Sequence, residues 1–301
     1  MLCIDEVHEG SRHILFATDP LLDATVHWDV VQSCDQAAID GFLDEIKALG
    51  FAPKVVITDG SPLYTDALTE RWADLEHQLC IFHVLAEINK DVLKAARAIR
   101  NDLPKPKKYR RGRPCKRGRP RKTDDRRAFV TKHRFLIVKR SDRFTAQNET
   151  DWQRMVEIDP RFETLKQFVD DVHRLFEKGI TKRAAQYRRT RLINNRDYAP
   201  LPQLGRARRR LVPKKFEKMI VFLNYTNLDR TNNHVERGNR TCRMLQKTRY
   251  RRRRRRTIRL ALQLHLLRRW RKHPRQQAPA KSATRLRKRP QPAPYNKRRA
   301  A

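Results

Sequence analysis

Residues 1–60 spell out three short β-forming runs, one amphipathic helix and a fourth β-forming run, in that order. Met1–Val7 alternates loosely between apolar and polar residues, His13–Ala17 is mostly apolar, and Ala24–Val31 is β-branched and aromatic, so each reads as a strand. Glu9-Gly10-Ser11 and Asp19-Pro20, between them, have turn chemistry. Gln36–Leu49 places apolar residues at 39, 42, 43, 46 and 49, the spacing of a one-sided helix, and Gly50 ends it. Lys54–Thr58 is a short apolar strand that runs into Asp59-Gly60. Three consecutive strands form an antiparallel meander, whereas a strand reached through a helix returns parallel. The order therefore predicts an α/β chain with a mixed sheet.

Further along, Pro62–Trp72 and Cys80–Ile99 read as helices. Residues 101–127 are Pro, Gly, Lys and Arg with almost nothing apolar, so they read as a solvated linker. Ala128–Phe176 is helical in pattern, with Trp152, Phe162, Leu165, Phe168 and Val172 among its apolar positions. Lys182–Lys215 is basic and interrupted by Pro200, Pro202 and Pro213; Glu236–Lys247 and Ile258–Trp270 are helical. Ile258, Leu260, Leu262, Leu264, Leu266 and Leu267 read as core or a packing helix. Residues 273–301, rich in Pro and Arg, read as disordered.

Charge narrows the class of partner. The 301 residues hold 70 Lys and Arg against 33 Asp and Glu, a formal net charge of +37. Folding does not require that excess and a compact body carrying it repels itself, so a polyanion is the expected partner: nucleic acid first, an anionic membrane surface second. Most of the excess lies at 105–122, 182–215 and 237–300, and residues 1–100 contribute none of it. No apolar run reaches the roughly 18 residues of a spanning helix. The N-terminus has neither the basic region nor the apolar core of a signal peptide. Cys3, Cys34, Cys80, Cys115 and Cys242 are scattered and odd in number, which reads as reduced cytosolic thiols.

In so basic a chain the placement of carboxylates is informative. Asp5 sits on the first strand and Asp59 at the carboxyl end of the fourth. If strands one and four pair in parallel, the two come side by side, where they repel unless a cation lies between them. Mg²⁺ takes oxygen ligands and keeps several waters, so few carboxylates suffice. Two such ions roughly 3.5–4 Å apart activate the attacking oxygen and stabilise the leaving one in phosphodiester chemistry. A third carboxylate is offered by Glu236 in Thr231-Asn-Asn-His-Val-Glu-Arg-Gly-Asn-Arg240, although Asn233-x-x-Glu236 also fits a helix capping box. The βββαβ order is that of a ribonuclease-H-like core.

The strings Ile57-Thr-Asp-Gly-Ser-Pro-Leu-Tyr64, Trp72 and His77-Gln-Leu-Cys-Ile-Phe-His-Val84 resemble the second-aspartate region of bacterial insertion-sequence transposases and the related Mutator-like enzymes. Leu2-Cys-Ile-Asp-Glu6 is similar to their first-aspartate strand, and Thr231–Arg240 to their last-acid motif. The resemblance covers most of 1–100 and 216–270. It implies a ribonuclease-H-like fold, an Asp5–Asp59–Glu236 site holding two Mg²⁺ or Mn²⁺ ions, and a helical insertion between Asp59 and Glu236. Two features depart from the pattern. Relatives carry an N-terminal module that reads the element ends, which is expected to be lacking where the first catalytic strand begins at Met1, and Arg249–Arg256 stands where relatives often have a Gly-containing turn.

Cys80-x-x-His83 has the spacing of half a zinc site, but no second pair matches it. The alternatives are a core cysteine with a structural or phosphate-positioning histidine. Arg111-Gly112-Arg113-Pro114 and Arg117-Gly118-Arg119-Pro120 are two copies of the AT-hook core, whose flat Arg-Gly-Arg enters a narrow A·T minor groove. A generic basic linker is the alternative. Arg251–Arg256 reads as a run contacting DNA phosphates.

The sequence thus predicts a first part of the catalytic core at 1–100, a basic AT-hook-like linker at 101–127 and a helical insertion at 128–215. The last part of the core with the Glu helix follows at 216–272, then a disordered basic tail at 273–301. The expected function is metal-dependent DNA cleavage and strand transfer at mobile-element ends. The expected partners are double-stranded element-end and target DNA and further copies of the chain, with no membrane, in a bacterial cytoplasm close to the nucleoid. The alternatives are an inactive or truncated transposase-derived DNA-binding protein and a basic RNA-binding protein. The last predicts more stacking aromatics than the 8% present.

Overall fold

The computed structural model describes residues 1–9, 12–22, 24–105, 125–233, 239–240, 243, 254–272 and 286–290. They divide into two compact units, one of 1–84 with 214–301 and one of 85–213.

The first unit is built on a five-stranded mixed sheet. Its strands are β1 (Leu2–Glu9), β2 (Arg12–Asp19), β3 (Ala24–Val31), β4 (Val55–Thr58) and β5 (Glu76–Leu79), in the order β3-β2-β1-β4-β5. β1, β2 and β3 run antiparallel as a meander, and β4 and β5 join in parallel. The right-hand half is parallel because helices intervene: α1 (Gln36–Ala48) before β4 and α2 (Leu63–Arg71) before β5. Asp35 caps α1, accepting from Ala38 N at 2.9 Å.

Alternation along the strands sets the two faces. Leu2, Ile4, Leu15, Ala17 and Val56 pack against Ile39, Phe42, Leu43 and Ile46 of α1 and Ala67 and Leu68 of α2. Cys3, Asp5 and Val7 point to the opposite face. There the register lines up Asp5, Phe16 and Trp28 across β1, β2 and β3. The helix α10 (Arg255–Lys272) packs on β3, with the Arg259 guanidinium 5.9 Å from the centre of the Trp28 ring. Only part of its apolar series is core: Ile258 and Leu262 are buried, whereas Leu260, Leu264 and Leu267 are exposed.

β5 is an edge strand whose sequence, Glu-His-Gln-Leu, carries no strand signal. It is held by its neighbours. Gln78, fully buried, donates to Met219 O at 2.9 Å and accepts from Phe222 N at 2.8 Å. Glu76 accepts from Asn224 and from the Tyr225 hydroxyl. These partners follow α9 (Pro213–Met219) in the 3₁₀ turn Val221–Asn224 and just beyond it, so the edge is covered. Within the tail expected to be disordered, Lys288 bridges Tyr225 and Arg289 N donates to Asn224 O at 2.8 Å.

The second unit is helical. It comprises most of α3 (Ile81–Asp102), then α4 (Arg126–His133), α5 (Ala146–Ile158), α6 (Arg161–Arg174), α7 (Lys182–Asn194) and α8 (Leu204–Arg209). Thr145 opens α5 with a capping box, and Pro160 opens α6. Phe162, Leu165, Phe168, Val169 and Val172 of α6 are buried. Asp91 is almost wholly buried and takes a charged bond from Arg210 Nε at 2.7 Å.

Candidate active site

The parallel pairing of β1 and β4 matches Leu2 with Val56 and Cys3 with Ile57. Continued in register by two residues, the same ladder sets Asp5 beside Asp59. Asp5 is buried, with 8% of its surface exposed. Its Oδ2 accepts from Asn239 Nδ2 at 2.7 Å and its Oδ1 from Glu6 N at 3.0 Å. Asp59 is half-buried and accepts from Ser61 N at 2.9 Å, an Asx turn closed over Gly60. Gly60 has φ +98°, so the chain can turn away at the end of β4 and leave the Asp59 carboxylate at the sheet's rim.

A second segment arrives at the same place from far along the chain. Ile81 N donates to Arg230 O at 3.0 Å, and Asn232 N donates to Cys80 Sγ at 3.2 Å. Asn232 Nδ2 donates to Ile4 O at 2.9 Å, which fixes residues 230–232 against the strand that carries Asp5. Asn232 and Asn239 are both buried, and the Oδ1 of each has no hydrogen-bond partner among the described residues. Buried amide oxygens left in this way are acceptors in search of a hard cation or a water bound to one. Together with Asp5 and Asp59 they would offer only oxygen ligands, a donor chemistry that suits Mg²⁺ or Mn²⁺ and not a thiolate-seeking metal.

Tyr64 of α2 approaches from the other face. Its ring is buried and its hydroxyl has no hydrogen-bond partner among the described residues. Burial, together with the charges of Cys34, Asp59, Glu6 and Asp5, pushes its phenol far above the usual tyrosine range. Burial and the hydrogen bond that it donates to Glu6 push the Cys34 thiol up to about 12. Tyr64 therefore stays a neutral O–H donor facing a negative cluster.

Cys80 and His83 belong to no group of three or more close His, Cys, Asp or Glu ligands among the described residues. Cys80 is fully buried and its sulfur is the acceptor that seats Asn232; His83 is half-buried, edge-on to Phe82. The three-ligand group that could hold an ion among the described residues lies elsewhere, at Glu6, His8 and His13, with ligand atoms within 4.8 Å of one another. Glu236, the two Arg-Gly-Arg-Pro repeats at 111–120, Cys115 and Cys242 lie outside the described residues. Sequence reasoning quoted Tyr64, Asn232 and Asn239 within motifs but gave them no role. The doubled Asn of Thr231-Asn-Asn was the available signal.

The sequence profile of a transposase family matches residues 2–262. The chain belongs to the ISL3 transposase family. The match spans both units, so the helical 85–213 segment is part of the transposase pattern. ISL3 is a different family from the Mutator-like enzymes. No curated protein matches this transposase. Family membership makes DNA its substrate. No helix among its described residues is long and apolar enough to cross a membrane.

Proposed function

We propose that this ISL3 transposase cleaves and joins DNA at mobile-element ends, with Asp5, Asp59 and Glu236 holding two Mg²⁺ or Mn²⁺ ions in a ribonuclease-H-like core. The observation that supports the reading is the β1–β4 register: continued by two residues, it sets Asp5, in the middle of β1, beside Asp59, just past the end of β4. The strand order β3-β2-β1-β4-β5, with three antiparallel strands followed by two parallel ones, supports the core assignment. Glu236 stands three residues before Asn239 in the sequence, and Asn239 donates to Asp5.

When bound, the ions supply activation of the attacking oxygen and stabilisation of the leaving one. The chain's own residues prepare the place. Asn239 and Glu6 N orient the Asp5 carboxylate, and Ser61 N orients that of Asp59. The orphaned Oδ1 atoms of Asn232 and Asn239 supply neutral acceptors that add no further negative charge.

The test is cleavage of a duplex carrying the element ends by purified protein in Mg²⁺ or Mn²⁺. Asp59→Asn removes one ligand charge and is expected to lower cleavage by at least about 10³-fold while DNA affinity stays within twofold, as removal of a transition-state contact does. Wild-type protein that binds no divalent ion and never cuts would leave the inactive, DNA-binding alternative standing instead.

A further inference from the structure

Beyond the acidic site, the helical unit carries a concave, strongly basic pocket of about 520 Å³ between α3 and the α4 region. Lys90, Lys94, Arg97, Arg100 and Arg134 line it, and no carboxylate does. Four of these cations recur on α3 at spacings of four, three and three, which makes one stripe along the helix, about 15 Å long by helical rise. Arg97 has no ion-pair partner among the described residues. Arg100 is aimed by neutral acceptors, Thr131 Oγ1 at 3.2 Å and Asn101 Oδ1 at 2.9 Å, and so keeps its whole charge for a ligand.

A stripe of cations alone would suit the outside of any duplex. This one borders an apolar floor of Leu93, Ala96 and Val130. At its mouth stands Phe135, 55% exposed, which is costly for a phenylalanine that serves only the core. The Arg134 guanidinium lies 4.3 Å from the centre of the Phe135 ring, while it also donates to Thr131 O. One face of the ring is therefore covered and the stack is held in place, ready for a further planar group. Phosphate-seeking cations beside an apolar recess and an exposed ring match a nucleotide whose base has left the helical stack.

We propose that the α3–α4 pocket binds single-stranded or locally unpaired DNA, with backbone phosphates on the α3 stripe and a base against Phe135. The proposal rests on DNA being the substrate, but not on the acidic site being active. A base still paired in a duplex is stacked between its neighbours and cannot enter the recess, so Phe135 discriminates strand state, whereas Arg97 contributes to both.

The experiment measures anisotropy of a labelled single-stranded oligonucleotide and of its duplex with the full-length protein. It is run in EDTA across a salt series, so that cleavage plays no part. Phe135→Ala is expected to weaken single-strand binding about tenfold and leave duplex binding within twofold, and Phe135→Trp to restore it. Arg97→Ala is expected to weaken both and to lower the magnitude of the log–log salt slope by about one. In the wild-type chain, an oligonucleotide carrying 5-iododeoxyuridine should photocrosslink to the peptide containing Phe135. Equal losses on both substrates with Phe135→Ala, no loss on either, or crosslinks confined to other basic segments would overturn the proposal. A chain that passes these tests yet never cuts with Mg²⁺ counts against the catalytic reading alone.

Discussion

Thr58 Oγ1 and His77 Nε2 meet at 2.8 Å between β4 and β5, one residue from Asp59, and the Nδ1 of the same ring is buried without a partner among the described residues. Burial, with the charge of Lys218, pushes His77 from the usual 6.5 down to about 4. Between those two values the unfolded chain binds a proton that the folded chain refuses, so stability rises with pH across the window. The contribution is fully present above about pH 6.5 and is lost as pH falls towards 4, amounting to at most about 3 kcal/mol. Urea unfolding followed from pH 7 to 4 should show that loss, and His77→Asn should flatten it; an unchanged slope in the variant would assign the pH dependence to other groups. Asp5 and Asp59 were legible at this scale because each sits at a fixed place on a strand that the sequence announces. Asn239 was not, because it reaches Asp5 across 234 positions of sequence, and nothing local to either residue encodes that meeting. Tyr64 was hidden for a related reason: its hydroxyl stands out only once burial leaves it without a partner.

Elements were legible in proportion to their own periodicity. β1 to β4 and α1 lie where apolar alternation and helical spacing placed them, within two residues at each end. β5 escaped notice because Glu-His-Gln-Leu has neither β-branched residues nor alternation; pairing with β4 and the two Gln78 bonds make it a strand. The Ala128–Phe176 stretch, one helical pattern in sequence, is divided into α4, two 3₁₀ turns, α5 and α6 by the Thr145 cap and by Asp159-Pro160. α10 went the other way: its apolar series is continuous, but a helix has two sides and Leu260, Leu264 and Leu267 fall on the exposed one. The dependence of β5 on Gln78 is testable. Gln78→Ala leaves Met219 O and Phe222 N buried and unpaired, at a cost of about 2–5 kcal/mol for the two groups together with the lost packing. Equilibrium unfolding measures it, and a loss under about 1 kcal/mol would mean that β5 is held by its backbone ladder alone.

At the scale of the whole molecule, charge was the most readable property and it determines how the transposase meets DNA. With 70 Lys and Arg against 33 Asp and Glu, phosphate neutralisation by many side chains is expected to dominate affinity before any base is read. Each neutralised phosphate releases counter-ions, so log affinity falls linearly with log salt, with a slope of about −0.9 per contact on a duplex. A chain so basic, with an α3 stripe of cations and further basic runs, should make at least about six such contacts, which corresponds to roughly a 10³-fold or greater loss of affinity between 50 and 200 mM salt. Because these contacts carry no sequence information, the slope should be nearly the same for element-end and unrelated duplexes, with any preference showing as a vertical offset between parallel lines. Asp59→Asn should leave the slope in EDTA unchanged, because the acidic site neutralises no phosphate without its cations. A slope shallower than about −3, or lines for the two duplexes that diverge strongly with salt, would mean that most of the +37 charge is engaged within the protein or faces away from DNA.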